Sequence, residues 1–283
     1  MMTNKRTIRT SPIAGTWYPG NPNQLRNMVA GYLDTAKNPD LPGQVVGLVA
    51  PHAGYVYSGA VAGHAFKTVQ GQSFDSVCVL APMHQYYPQP LLTSAHRAYH
   101  TPLGDIPLAD DMITEINARL TERIGVGLTA ISNDNEHSLE IELPFLQVAL
   151  SGNFRLIPIM LREQSRYMTK ALGEVLAEVI EFQKCLLVAS SDLSHFYTQS
   201  QAEKLDLSVL KMLSTFSPEG LFDLHERGQG QACGLAPMAA VLWAAAQLGA
   251  TEVTLLKYDT SAATTGDTHS VVGYGAAAIT RPI

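Results

Sequence analysis

The chain has 283 residues, 46% of them hydrophobic and 16% charged, with a formal net charge of −6. This is enough apolar material for a large buried core, and an acidic balance without any run of Lys and Arg argues against a nucleic-acid partner. Cys78, Cys185 and Cys233 stand far apart with no C-x-x-C pair, which excludes a disulfide framework and reads as reduced thiols in a cytoplasmic protein.

From the N-terminus, Met1–Pro12 is polar and lacks the apolar core of a signal peptide. Val45–Ala50 reads as a buried strand, followed by the loop Pro51-His52-Ala53-Gly54 and a small-residue helix over Ser58–Val69. Ser76–Ala81 is a second strand and runs into Pro82-Met83-His84. Asp110 and Asp111 head a helix through Leu120, where acidic side chains suit the helix dipole. Asn135-Glu136-His137-Ser138-Leu139-Glu140 opens another helix, which Pro144 is expected to interrupt.

Phe154–Leu161 is a third strand and Met168–Phe182 a third long helix. Cys185–Ser190 is again a strand and leads directly into a loop, Ser191-Asp192-Leu193-Ser194-His195. Ser217 and Pro218 make a good cap and first residue for a helix through Glu226. Ala232–Ala250 is uncharged and nearly long enough to span a membrane. Its Ala and Gly content, its internal Pro237, and Met238, Val241, Leu242, Ala245 and Leu248 at helical spacing point instead to a buried helix of a soluble protein, with no membrane contact. Val253–Tyr258 and Val271–Ile279 close the chain as strands, and Tyr258-Asp259 and Thr265–His269 are expected in loops and turns. Strands alternating with helices, without a repeat or linker, indicate one layered α/β domain over residues 1–283.

Three strands thus end, within a few residues, in a histidine: His52, His84 and His195. Ligands of α/β sheets bind in the crevice beyond the carboxyl ends of the strands, and imidazoles gathered from several loops make a transition-metal site or an acid/base pair. Each histidine alone reads more simply as a hydrogen-bonded structural residue; the shared placement favours a functional cluster. His64, His96, His100 and His225 lack that placement and read as packing or surface residues. Cys233 precedes a helix, where a thiolate is stabilised and binds metals well; its plain alternative is a small buried hydrophobe. Glu136 and Glu140 are candidates to cap a helix or to orient a ligand imidazole from behind.

Other motifs fail. There is no Walker A sequence, and Gly273-Tyr274-Gly275 has too little chain after it for a dinucleotide-binding helix. His96–His100 has zincin spacing but carries Arg97 where a general base belongs. Ser191, Asp192 and His195 crowd one loop without a nucleophile elbow.

Taken in order, Ile13–Pro19, Ala50-Pro51-His52-Ala53-Gly54-Tyr55, Ala81-Pro82-Met83-His84, Asn135–Glu140, Ser190–His195, Ala232-Cys233-Gly234 and Gly266–Tyr274 resemble successive motifs of the Memo family (mediator of cell motility). The resemblance covers essentially the whole chain. It implies a mixed central sheet with helices on both faces, related to class III extradiol dioxygenases. It further implies His52, His84 and Cys233 as ligands of a transition metal ion, iron or copper with zinc as a further option. His195 matches the dioxygenase acid/base histidine, with Asp192 as its companion. Two departures stand out: a thiol replaces the third, carboxylate ligand of the dioxygenases, and Ala81-Pro82 replaces the family's Gly-Pro. Sulfur favours copper(I) or zinc over an oxygen-rich iron site. Three functions follow as alternatives: a metal protein with redox or oxygen chemistry, a ring-cleaving dioxygenase, and a non-catalytic module that binds a small molecule or peptide.

Overall fold

A computed structural model describes residues 7–283; the part of the polar N-terminal stretch that falls on residues 1–6 lies outside the described residues. Strand β1 (Ile8–Arg9) and helix α1 (Pro22–Thr35) precede β2 (Gln44–Ala50), which α2 (Tyr55–Lys67) and β3 (Ser76–Pro82) follow. Short elements come next: β4 (Leu91–Ser94), β5 (Ala98–Thr101), β6 (Gly104–Pro107), α3 (Asp110–Ile124) and β7 (Thr129–Ile131). A 3-10 turn at Glu140–Glu142 leads into α4 (Leu143–Ala149), then β8 (Arg155–Leu161), α5 (Arg166–Ile180), β9 (Cys185–Ser190) and β10 (Asp192–Tyr197). The last third holds α6 (Gln199–Ser214), α7 (Pro218–Glu226), α8 (Leu235–Gln247), β11 (Glu252–Thr260), α9 (Ala262–Thr265) and β12 (Val271–Arg281).

Nine strands form one mixed sheet in the order β10-β12-β2-β9-β3-β8-β4-β7, with β11 also paired to β12. Its centre, β2-β9-β3-β8, is parallel. Continuous apolar runs such as Ser76–Pro82, buried along their whole length, suit strands covered on both faces. Helix α8 packs on β2, β3 and β9, while α2 packs on β2, β11 and β12. Ala189 of β9 lies level with Val49 of β2 on one side and Leu80 of β3 on the other, so all three chains leave the sheet at one height. That shared edge is what brings His52 and His84 together.

The edge is completed by an unusual strand exchange. Long β12 pairs through Ala277–Arg281 with β2, and through Val271–Tyr274 with β10. The chain leaving β9 therefore turns at Ser191, whose amide donates to Ala50 O at 2.9 Å, and continues beyond the end of β2. Asp192–His195 is thus strand, not loop, because β12 extends far enough past β2 to offer it a partner.

Three other expectations change. Helix α2 starts before Ser58, whose hydroxyl turns back to Ala53 O at 2.8 Å instead of capping a later start. Pro144 does not interrupt a helix; it lies in the first turn of α4, where its missing N–H costs nothing. Tyr258 and Asp259 belong to β11, and Tyr258 donates to Asp206 Oδ2 at 2.9 Å. Helices α1 and α6 were not anticipated, although Asn21-Pro22 is a clear start: the Asn21 side chain accepts from the amides of Asn23 and Gln24.

The uncharged segment forms α8, almost entirely buried. It crosses α5 at Gly173, where a Cβ would meet Ala240 O at 2.7 Å. Among the described residues, no helix is long and apolar enough to cross a membrane.

Candidate metal centre

His52 stands two residues beyond β2, His84 two residues beyond β3, and Cys233 two residues before α8. One ligand atom from each lies within 4.8 Å of the others, and the two imidazole centroids are 5.4 Å apart.

The surroundings of His52 are buried and hydrogen-bonded. Its backbone N–H donates to Asp192 Oδ1 at 2.8 Å, which fixes the turn after β2. Ser190 Oγ donates to Ser138 O at 2.6 Å and lies 2.8 Å from His52 Nδ1. The single hydroxyl proton being committed, Ser190 accepts from Nδ1–H, and Nε2 keeps its lone pair. Burial, then the neighbouring His137 and His84, push the His52 pKa well below its usual value, so the ring is neutral.

Cys233 completes this half. Its sulfur lies 3.1 Å from His52 Nε2 and accepts from the Asp192 amide at 3.2 Å. Its own amide donates to Asp192 O at 3.2 Å, and its carbonyl accepts from Gln164 Nε2 at 2.8 Å. The next residue must be glycine: a Cβ on Gly234 would stand 2.2 Å from Ser190 O. The helix start does not by itself favour a thiolate in the metal-free chain: burial of the sulfur, and then the Asp192 carboxylate, push the thiol pKa upward against the hydrogen bond from the Asp192 amide.

His84 is set differently. Its side chain is 39% exposed, and its amide and Nδ1 both reach the buried Glu136 carboxylate, at 2.6 and 3.0 Å. Glu136 also accepts from the amides of His137 and Ser138, at 2.9 and 3.0 Å. Burial works against the Glu136 charge, but the His84 side-chain hydrogen bond and charge, with the amides of Ser138 and His84, hold its pKa far below the carboxylate range. In return Glu136 raises the His84 pKa against the opposing effect of burial. With Nδ1 engaged, Nε2 is again the free nitrogen.

The Glu136 loop is anchored from behind by Arg9, which is buried. Its guanidinium contacts Asp134 Oδ1 at 2.7 Å and Glu136 O at 2.8 Å, and also pairs with Glu140. Tyr18 donates to Glu140 at 2.7 Å. Nothing in the sequence pattern marked Arg9; only its place in a polar N-terminal stretch was visible.

His195 is half-buried on β10 and belongs to neither group of clustered ligand atoms among the described residues. Burial lowers its pKa. The expected Asp192–His195 pair is not among the hydrogen bonds of the described residues. Instead, Asp192 Oδ1 accepts from the His52 amide at 2.8 Å, and burial lifts the Asp192 pKa to about 7.

His137 joins the cluster although no strand end points to it. Its ring stacks on His84 at 5.0 Å, stands 5.5 Å from His52 and packs on Trp17 at 4.1 Å. Burial lowers its pKa to about 4. With Glu136 and His84 it forms a second group of two imidazoles and a carboxylate close enough to share an ion. The signal was its adjacency to Glu136, which drew attention only as a cap or support.

A family model described as Memo-like protein matches residues 9–278. A MEMO1 family protein of Nitrosopumilus maritimus is 34% identical over 275 residues, spanning 95% of this chain and 98% of the relative. One of Methanopyrus kandleri is 34% identical over 286 residues, spanning 96% and 99%. Another, from Thermoplasma volcanium, is 27% identical over 278 residues, spanning 98% and 100%.

Proposed function

The chain belongs to the Memo family, and from that premise we propose that it holds a transition metal ion through His52 Nε2, His84 Nε2 and Cys233 Sγ. The observation that carries this reading is the convergence of those three atoms within 4.8 Å, at the parallel strand ends. Both imidazoles have Nδ1 tied, one to Ser190 and one to Glu136, an arrangement that fixes the ring and directs Nε2 to an ion. The overlapping His84/Glu136/His137 group fits less well, because Glu136 already accepts four hydrogen bonds.

A bound ion would supply Lewis-acid or redox chemistry. Two nitrogens and a sulfur suit copper or zinc better than iron, which weakens the kinship to ring-cleaving dioxygenases as a guide to activity. In this reading His195 donates or accepts a proton near the ion, and Asp192 shapes the turn that carries His52. The substrate is a small molecule or a peptide, and the three free thiols support a reducing, cytoplasmic setting.

Metal titration monitored by absorbance and circular dichroism tests the ligand set. Wild type and Cys78→Ser are expected to bind one ion per chain, and Cys233→Ser to bind it at least tenfold more weakly with its fold intact. Equal affinity in wild type and Cys233→Ser removes the sulfur from the site.

A further inference from the structure

A cleft of about 460 Å³ opens between the turn after β2 and the β10–β12 pair. That volume falls within the range of small-molecule sites. Four aromatic side chains line it: Trp17, Tyr57, Phe196 and Tyr274. No lining residue carries a charge, so a phosphate or carboxylate entering here would lose water without gaining a counter-ion.

Phe196 is the telling residue. Its φ is +65°, a left-handed conformation seldom adopted by residues with a bulky side chain. The pairing of β10 with β12 shifts register on either side of His195, so the strand bulges around Phe196. The residue nevertheless stays 76% exposed. The fold thus holds a strained aromatic residue without burying it, where glycine would meet the bulge more easily. Strain of this kind gathers where a backbone is over-determined for a task.

The cleft also adjoins the clustered imidazoles. Ala53 in its wall follows His52, and Trp17 packs at 4.1 Å on His137, itself 5.5 Å from His52. The Phe196 ring lies 5.7 Å from that of His195.

We propose that this cleft binds the uncharged aromatic end of a small molecule, with Phe196 presented by the bulge as the ring that grips it. That the far end of this molecule meets an ion rests on the metal reading above; the aromatic subsite itself does not. Offset or edge-on packing between rings adds specificity for an aromatic over an aliphatic group of the same size.

The test uses three probes on the full chain, followed by ligand-observed NMR titration: 4-methylphenol, 4-methylcyclohexanol and 4-methylbenzoate. The phenol is expected to bind at least about fivefold more tightly than the other two. Phe196→Gly is expected to weaken phenol binding by about fivefold while raising Tm by about 2 °C, because the bulge relaxes. Phe196→Tyr is expected to bind the phenol like wild type. Undetectable phenol binding, a carboxylate bound as tightly as the phenol, or a Phe196→Gly protein that binds like wild type overturns the proposal. So does a Phe196→Gly protein with lowered Tm, since Phe196 would then serve the fold. Metal uptake by wild type is measured separately. A chain that binds the phenol but no metal retains the aromatic subsite and loses the metal reading; one that takes up metal and ignores the phenol does the reverse.

Discussion

His52 and His84 leave the sheet at the same height, yet their surroundings follow opposite electrostatic rules. Around His52 burial works against charge when no ion is bound: the imidazole pKa is lowered, the Cys233 thiol is raised, and Asp192 is lifted to about 7. Direction there comes from backbone amides and the Ser190 hydroxyl. Around His84 the side chain reaches solvent, and an ionised Glu136 does the orienting, with buried Arg9 holding the loop behind it. The difference follows from the cost of burying charge. Charge is retained where water or a buried counter-ion compensates it, and removed where neither can reach.

The contrast breaks most severely at Arg9. Replacing it by Met strands Asp134 and Glu140 as unpaired buried carboxylates, and the expected loss is about 3–5 kcal/mol of unfolding free energy by urea denaturation. A companion protein with Arg9→Met, Asp134→Asn and Glu140→Gln together is expected to recover part of that loss. A loss below about 1 kcal/mol in Arg9→Met would mean that water already screens this network.

Removing one orienting group from each half sharpens the comparison. Glu136→Gln keeps the shape but loses the charge that holds His84 Nδ1, and Ser190→Ala removes the acceptor of His52 Nδ1. Under the proposed ligation, Glu136→Gln is expected to weaken metal binding by about 10- to 100-fold, the usual effect of losing such a partner. Ser190→Ala is expected to cost about tenfold, since a neutral hydrogen bond is roughly half as strong as a charged one. Isothermal titration with zinc reads both, and unchanged affinities would deny the two residues any part in orienting ligands.

How much of this arrangement the sequence disclosed depends on the range of the interaction. The central strands were legible because parallel, doubly covered strands are apolar throughout, and the histidines after β2 and β3 were legible because they stand directly at the ends of those runs. Strand β10 was not, since Asp192–His195 has no apolar alternation and becomes a strand only because β12 outreaches β2. Arg9, Trp17 and His137 meet the site through contacts between distant segments: Arg9 and Glu140 are 131 residues apart. Spacing and periodicity carry no record of such pairs. The ionisation of Cys233 is hidden for a related reason, because proximity to a helix terminus is local and visible, whereas burial of the sulfur is not.

The smallest effect contrasts two glutamates only six residues apart. Glu142 is buried without a hydrogen bond to either oxygen, since the hydroxyl of nearby Ser190 is already given to Ser138. Burial raises its pKa well above the usual value, and the Asp192 carboxylate adds to the rise. Below the unfolded-state pKa both states are protonated, and the stability is fully present. As pH rises, the unfolded chain releases its proton while the folded chain retains it, so stability falls until the folded pKa is passed. Asp192, lifted to about 7, adds to the same decline. Glu136 behaves inversely: its lowered pKa contributes stability above the unfolded value, which is lost as pH drops toward the folded one. Glu142→Met should therefore flatten the decline between pH 5 and 8, with its gain over wild type growing across that interval and Asp192 leaving a residual slope. Glu136→Gln should instead flatten the acid limb below about pH 4.5. Urea denaturation at a series of pH values separates the two, and a Glu142→Met curve parallel to wild type from pH 5 to 8 would mean that Glu142 is already ionised in the folded protein.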